Sequence, residues 1–154
     1  MLFRSPDQTL TRGEMTSILW KLAGSPQVAA DAAGFVDTAG ADCAGAVAWA
    51  ADNGVVSGYG DSRFGPADPV TREQMSLMLL RYAQYAGMDT AQGGMTVREF
   101  ADYDQIAGYA LEAVAWTVEA GLLTGASEDT LAPGQAATRV QAAQALLALS
   151  QIAE

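Results

Sequence analysis

Three segments of this chain repeat one pattern: a proline-led loop, a threonine, an arginine, and then an apolar run of helical period. They are Thr11-Arg12-Gly13-Glu14, Thr71-Arg72-Glu73-Gln74 and Thr138-Arg139-Val140-Gln141, with Pro6, Pro66 and Pro133 each five residues ahead of the threonine. Recurrence at fixed spacing marks internal repeats and restricts the chain to folds that pack equivalent units. Each copy carries the means to start a helix. The threonine is a good N-cap, and the Glu14, Gln74 or Gln141 side chain three positions on can reach back to the cap's own N–H, a capping box. The arginine needs a separate reason, because a cation in the first turn opposes the positive end of the helix dipole. Two readings stay open for it: an anion receptor, or a structural salt bridge.

The second and third copies agree well upstream of the Thr-Arg pair. Trp49 and Trp116, Gly54 and Gly121, Gly58 and Gly125, and Pro66 and Pro133 all keep the 67-residue spacing of Thr71 and Thr138. Phe35-Val36-Asp37 and Phe100-Ala101-Asp102 open these units. The first copy begins at Met1-Leu2-Phe3 and holds only the back half. The chain therefore reads as a single domain of residues 1–154: the back half of repeat 1 over 1–24, repeat 2 over 35–87 and repeat 3 over 100–154.

Within a whole repeat the spacing predicts a front helix, a glycine-rich turn and a back helix. The front helix places Ala44, Val47 and Ala51, or Leu111, Val114 and Val118, on one face, and Asn53-Gly54 or Ala120-Gly121 stops it. The back helices carry equivalent stripes: Met15, Ile18, Leu19 and Leu22; Met75, Met78, Leu79 and Tyr82; Ala142, Ala145, Leu146 and Leu149. Three equivalent stripes predict an all-α fold with the back helices in a central three-helix arrangement, Leu19, Leu79 and Leu146 near the shared axis, and the front helices outside.

The composition excludes several function classes. There is no histidine, which removes Ser-His and Cys-His catalysis and most catalytic zinc sites. Eighteen acids offer no distinguished carboxylate pair, so no catalytic residue, cofactor or metal site is expected. A formal charge of −10 with only eight Lys and Arg argues against a nucleic-acid partner. No run is long and apolar enough for membrane insertion, and the N-terminus lacks the pattern of a signal peptide. Cys43 stands alone, so no intrachain disulfide is expected.

The tryptophans sit two positions beyond Val47 and Val114, about 200° around a helix from the main stripe. They need either a neighbouring repeat or a ligand. Tyr109 lies seven residues before Trp116 and hence on the same flank, which would make an aromatic ledge of the kind sugars stack on. Asp42 holds the matching place in repeat 2.

Phe-x-Asp, a Trp-containing helix, Asn53-Gly54-Val55-Val56-Ser57-Gly58-Tyr59-Gly60-Asp61, Phe64-Gly65-Pro66 and Thr71-Arg72-Glu73-Gln74, in that order, resemble the S-layer homology repeat. The resemblance covers nearly the whole chain. It implies a pseudo-threefold spindle on the bacterial cell surface, exported, with inter-repeat grooves that bind a secondary cell-wall polysaccharide, often pyruvylated. It also implies that Arg12, Arg72 and Arg139 meet the acidic sugar, a role suited to the bidentate guanidinium fork. The candidate ligand-binding set is these arginines with Trp49, Trp116, Tyr109, Asp37, Asp102, Gly58 and Gly125. The family's His-Trp-Ala site falls at Asp42 and Tyr109, and the alanine of its Thr-Arg-Ala-Glu motif is Gly13, Glu73 or Val140. The expected partner is a cell-wall glycan, and the expected function is non-catalytic surface anchoring. The alternative is a degenerate structural or protein-interaction module. The missing front half of repeat 1 leaves an apolar stripe short of its cover, which predicts a homodimer or a helix exchange; the alternative is a compact monomer with two grooves, whose own ends rearrange to cover the gap.

Overall fold

The computed structural model describes residues 8–28, 34–91 and 95–152. Pro6 and the Met1-Leu2-Phe3 start lie outside them. Among the described residues five α-helices carry the fold: α1 (Arg12–Leu22), α2 (Ala44–Asp52), α3 (Arg72–Tyr85), α4 (Leu111–Glu119) and α5 (Arg139–Ile152). Short 3-10 turns at Thr96–Glu99, Tyr103–Gln105 and Gly108–Ala110 lead into α4. Extended pairing among the described residues is limited to isolated bridges, so the all-α expectation holds.

All three Thr-Arg helices start as the sequence dictates. Thr11 accepts from the Glu14 amide at 3.0 Å while the Glu14 carboxylate accepts from the Thr11 amide at 2.9 Å. Gln74 and Gln141 close the same box on Thr71 and Thr138. The front helices have no such device. Cys43 and Ala110 sit at their N-cap positions without a side-chain bond, so α2 and α4 depend on packing.

That packing divides the chain into two compact units, cut inside the sequence repeats. One is Leu10–Pro69, in which α1 of repeat 1 lies against α2 of repeat 2. The other joins Met1–Thr9 to Val70–Glu154, and there α3 of repeat 2 lies against α4 of repeat 3. The back helices α1 and α3 thus each pair with the front helix of the following repeat. A short backbone bridge accompanies each seam, Thr11 with Pro69 and Thr71 with Ala136, and a third joins Thr9 to Thr138.

Leu10, Met15, Leu19, Val47, Val55 and Phe64 fill the core of the Leu10–Pro69 unit. Val70, Met75, Leu79, Val114, Leu131 and Leu149 fill the other. The stripes differ from the expected ones in detail. Leu22 and Leu111 are exposed and Leu146 is only half-buried, whereas five consecutive residues of α2, Ala46 to Ala50, are all buried. A nine-residue helix enclosed on more than one side buries its whole middle turn, which a single-face reading misses. In the second unit α3 and α5 form no extensive helix pair. Their N-terminal segments are joined by the Thr71–Ala136 bridge and by the Ala137 amide on the Val70 carbonyl, while the side of α3 goes to α4.

Leu79 is wholly buried in this second core. Truncating it leaves a cavity as well as losing transfer energy, so Leu79→Ala is expected to lower stability by about 2–5 kcal/mol, read as a shifted urea midpoint at unchanged slope.

Candidate functional site

The arginines of the Thr-Arg pairs cross the seams. Arg12 is buried, and its Nε donates to the Phe64 carbonyl at 2.9 Å and its Nη2 to the Ser57 carbonyl at 3.1 Å. Arg72 does the same one seam later, with Nε on the Leu131 carbonyl at 2.7 Å and Nη2 on the Thr124 carbonyl. Phe64 and Leu131 are equivalent positions, as are Ser57 and Thr124. One planar fork thereby ties together both ends of a glycine-rich loop from the next repeat. A lysine could not span them with the same geometry. This accounts for a cation in a first helical turn: its charge is carried away from the helix end to the backbone carbonyls of the next repeat's loop.

A carboxylate holds the same loop from the other side. Asp37 accepts from the Phe64 amide at 2.9 Å and the Gly65 amide at 2.8 Å. Asp102 accepts from the Leu131 and Ala132 amides, both at 2.9 Å. Residues Phe64 and Leu131 thus give their C=O to arginine and their N–H to aspartate. The Phe64 amide bond is the chief cause of the Asp37 carboxyl lying below its ordinary value. Burial pushes the Asp102 carboxyl up, but the two amide bonds and nearby Arg72 outweigh it, and the net displacement is downward. Burial in turn pushes the Arg72 guanidinium down, with Asp102 opposing that.

Glycines make the close approach feasible. A Cβ on Gly58 would stand 2.4 Å from the Phe35 ring and 2.7 Å from the Arg63 carbonyl, and one on Gly125 would stand 2.3 Å from the Ser127 carbonyl. Six of the ten candidate residues, Arg12, Asp37 and Gly58 in one unit and Arg72, Asp102 and Gly125 in the other, therefore converge on two equivalent loops. Arg139 belongs to a third seam, where its amide donates to the Gln8 carbonyl at 2.9 Å as the Arg12 and Arg72 amides do to Asp68 and Gln135. Trp49 and Trp116 are buried as core residues of α2 and α4. Tyr109 is 59% exposed and lies in the 3-10 turn that precedes α4 rather than within the helix that carries Trp116.

The two loops differ in one respect that sequence spacing did not single out. The Arg12 guanidinium lies over two rings, 4.8 Å from the centroid of Tyr59 and 4.5 Å from that of Phe64. Tyr59 is half-exposed, and its hydroxyl donates to Asp68 at 2.7 Å. Burial, then that bond, pushes the phenol up, so it remains a donor at neutral pH. The equivalents of Tyr59 and Phe64 in repeat 3 are Ala126 and Leu131, so Arg72 has no such stack. The available signal was an aromatic residue set between Gly58 and Gly60.

Two outcomes are expected of these contacts. Arg72→Ala leaves two loop carbonyls and a buried carboxylate without their cation and should lower stability by about 1.5–3 kcal/mol in urea melts, with Arg72→Lys recovering only part. The depressed carboxyls of Asp37 and Asp102 contribute stability above the unfolded-state value of about 3.9, and that contribution is lost as pH falls through their lower folded values. Urea midpoints should then drop steeply below about pH 4, and Asp102→Asn should be less stable at neutral pH with a shallower acid slope.

The S-layer homology domain model matches residues 34–76 and 99–143. An exoglucanase, XynX, of Acetivibrio thermocellus is 30% identical over 146 residues, an alignment that takes in 94% of this chain and 13% of that protein. The matched segments contain both aspartate-held loops and the second and third Thr-Arg pairs. The chain belongs to the S-layer homology domain family, whose members are non-catalytic modules that anchor cell-surface proteins to polymers of the cell wall.

Proposed function

We propose that this chain anchors its protein to an acidic, pyruvylated secondary cell-wall polysaccharide, bound along the seams between successive repeats. The observation that carries the reading is the pair of equivalent guanidinium-held loops at Arg12 and Arg72. A guanidinium has five N–H donors, and the two carbonyls occupy only two of them, so an acidic sugar could complete the set. The net charge of −10 would repel an acidic polymer at long range, so the attraction has to act at contact distance, inside a Debye length of about 8–10 Å. Tyr59 beside Arg12 and the exposed Tyr109 supply apolar ring faces for sugar rings. Arg139 extends the set to the third seam.

One observation favours the alternative, a structural module of this fold without glycan binding. Arg72 is only 1% exposed and Trp49 and Trp116 are buried, so a polymer reaches them only where the loops open. The experiment that separates the two is co-sedimentation with purified bacterial cell wall, before and after removal of the polymer that is not peptidoglycan. The anchor reading expects retention on intact wall and loss on stripped wall. Tyr59→Ala and Tyr109→Ala, whose exposed side chains leave the core intact, should each reduce retention several-fold. Equal retention of the parent and the double tyrosine variant on intact and stripped wall would sink the glycan reading.

A further inference from the structure

Asn53 is the one asparagine in the chain, and Gly54 follows it. The pair closes α2. Asn53 is the C-cap, Gly54 takes a left-handed φ of +74°, and the Gly54 and Val55 amides donate back to the Ala51 and Ala50 carbonyls at 3.2 and 2.7 Å. This is a Schellman turn. Repeat 3 builds the same turn on Ala120 and Gly121. There Gly121 has φ +83°, its amide donates to Val118 at 3.2 Å, and the Leu122 amide donates to Thr117 at 2.8 Å. The backbones match and the cap residue differs. In repeat 2 the cap's side chain adds a bond, from Asn53 Nδ2 to the Trp49 carbonyl at 2.9 Å.

That side chain also sets a reactive amide next to an unshielded nitrogen. Asn53 and Gly54 are both exposed, and a Cβ on Gly54 would meet no described atom within 4 Å. Glycine has no side chain to block its own nitrogen and little resistance to the rotations an attack needs. Once a base takes the Gly54 amide proton, the nitrogen attacks Asn53 Cγ, the Cγ–Nδ2 bond breaks, and Nδ2 leaves as ammonia. The product is a succinimide ring. Water then opens it at Cγ to give aspartate, or at the main-chain carbonyl to give isoaspartate, in which the chain runs through Cβ. The hydrogen bonds of the Gly54 amide and of Nδ2 must open first. They lie in the exposed last turn of a nine-residue helix, where local opening costs least.

From this geometry we infer that Asn53 is a site of spontaneous deamidation, and that the isoaspartate formed there loosens the loop tied by Arg12. An extra main-chain methylene between residues 53 and 54 is incompatible with both turn bonds at once, since each closes a ring of fixed size. The new carboxylate also turns an acceptor toward the Trp49 carbonyl in place of a donor, and adds a negative charge beside Asp52 at the negative end of α2. Val55 and Val56 come next and are buried, and Ser57 then carries the carbonyl that Arg12 Nη2 bonds at 3.1 Å. A displaced turn is therefore passed directly to the guanidinium tie. The Arg72 loop, with alanine at the cap, has no amide to lose. This inference does not depend on glycan binding.

The test ages the folded chain in warm, mildly alkaline buffer. The parent is expected to gain one acid group and isoaspartate, both mapping to the tryptic peptide of residues 22–63, while Asn53→Ala, which copies repeat 3, gains neither. The parent unfolded in urea supplies the reference rate. The isoaspartate form, separated by anion exchange, should melt lower than the fresh parent by on the order of 5 °C. Its amides over residues 55–64 should exchange with deuterium several-fold faster, with those over 122–131 unchanged. Asn53→Asp carries the charge without the extra methylene and should fall between the two. A folded chain that stays free of isoaspartate while the unfolded chain forms it would overturn the site. An isoaspartate form that melts and exchanges like the fresh parent would overturn its effect on the loop.

Discussion

The tie between a buried guanidinium and two backbone carbonyls is the interaction on which this chain's organisation rests. Arg12 and Arg72 each reach from the start of one helix into the loop of the next repeat and bond carbonyls seven residues apart along it. The loop is too rich in glycine and turn residues to satisfy its own polar groups. Without the arginine its carbonyls would be desolvated and unpaired, and the front helix before it, which has no side-chain cap, would lose the contact that orders its exit. The aspartates Asp37 and Asp102 hold the amides of the same residues, so each loop is fixed by a cation on its carbonyls and an anion on its amides.

From that tie follows the displacement of the structural unit from the sequence repeat. A repeat read along the chain runs from front helix to back helix, yet the compact units run from a back helix to the next front helix and loop. The repeat cannot bury its own stripe alone, which is the general reason repeat proteins need neighbours. Each seam needs one back helix and the following front half; residues 10–69 supply one such set and residues 70–137 another, to which α5 adds Ala142, Ala145 and Leu149 in the second core.

The two loops show how a shared scaffold accommodates different side chains. Gly65 has φ of +74° and would bring a Cβ to 2.5 Å from the Tyr59 hydroxyl, so Tyr59 and Gly65 require each other. In repeat 3 the tyrosine position is Ala126, and the left-handed position is filled by Ala132 at φ +49°. An L-residue there carries a penalty of roughly 1–2 kcal/mol, which the two amide bonds to Asp102 help to offset. The contact of a guanidinium with Tyr59 and Phe64 thus marks the Arg12 loop as chemically distinct from the Arg72 loop.

Local chemistry in the sequence determined the helix starts, the all-α class and the repeat pattern, because capping boxes, glycine stops and apolar periods act over a few residues. Thr11, Thr71 and Thr138 cap as their neighbours dictate. The sequence also marked Arg12, Arg72, Asp37, Asp102, Gly58 and Gly125 as special, since each breaks or repeats a local rule. What each of them touches was decided only by the tertiary structure. Arg12 and its carbonyl partners are 45 and 52 residues apart, and no local period encodes such a contact. The same holds for Trp49 and Trp116, whose flank was legible but whose cover was not. Likewise the exposure of Leu147 against the burial of Leu80, two leucines at equivalent places in nearly equivalent helices, was set by whether another helix lies alongside.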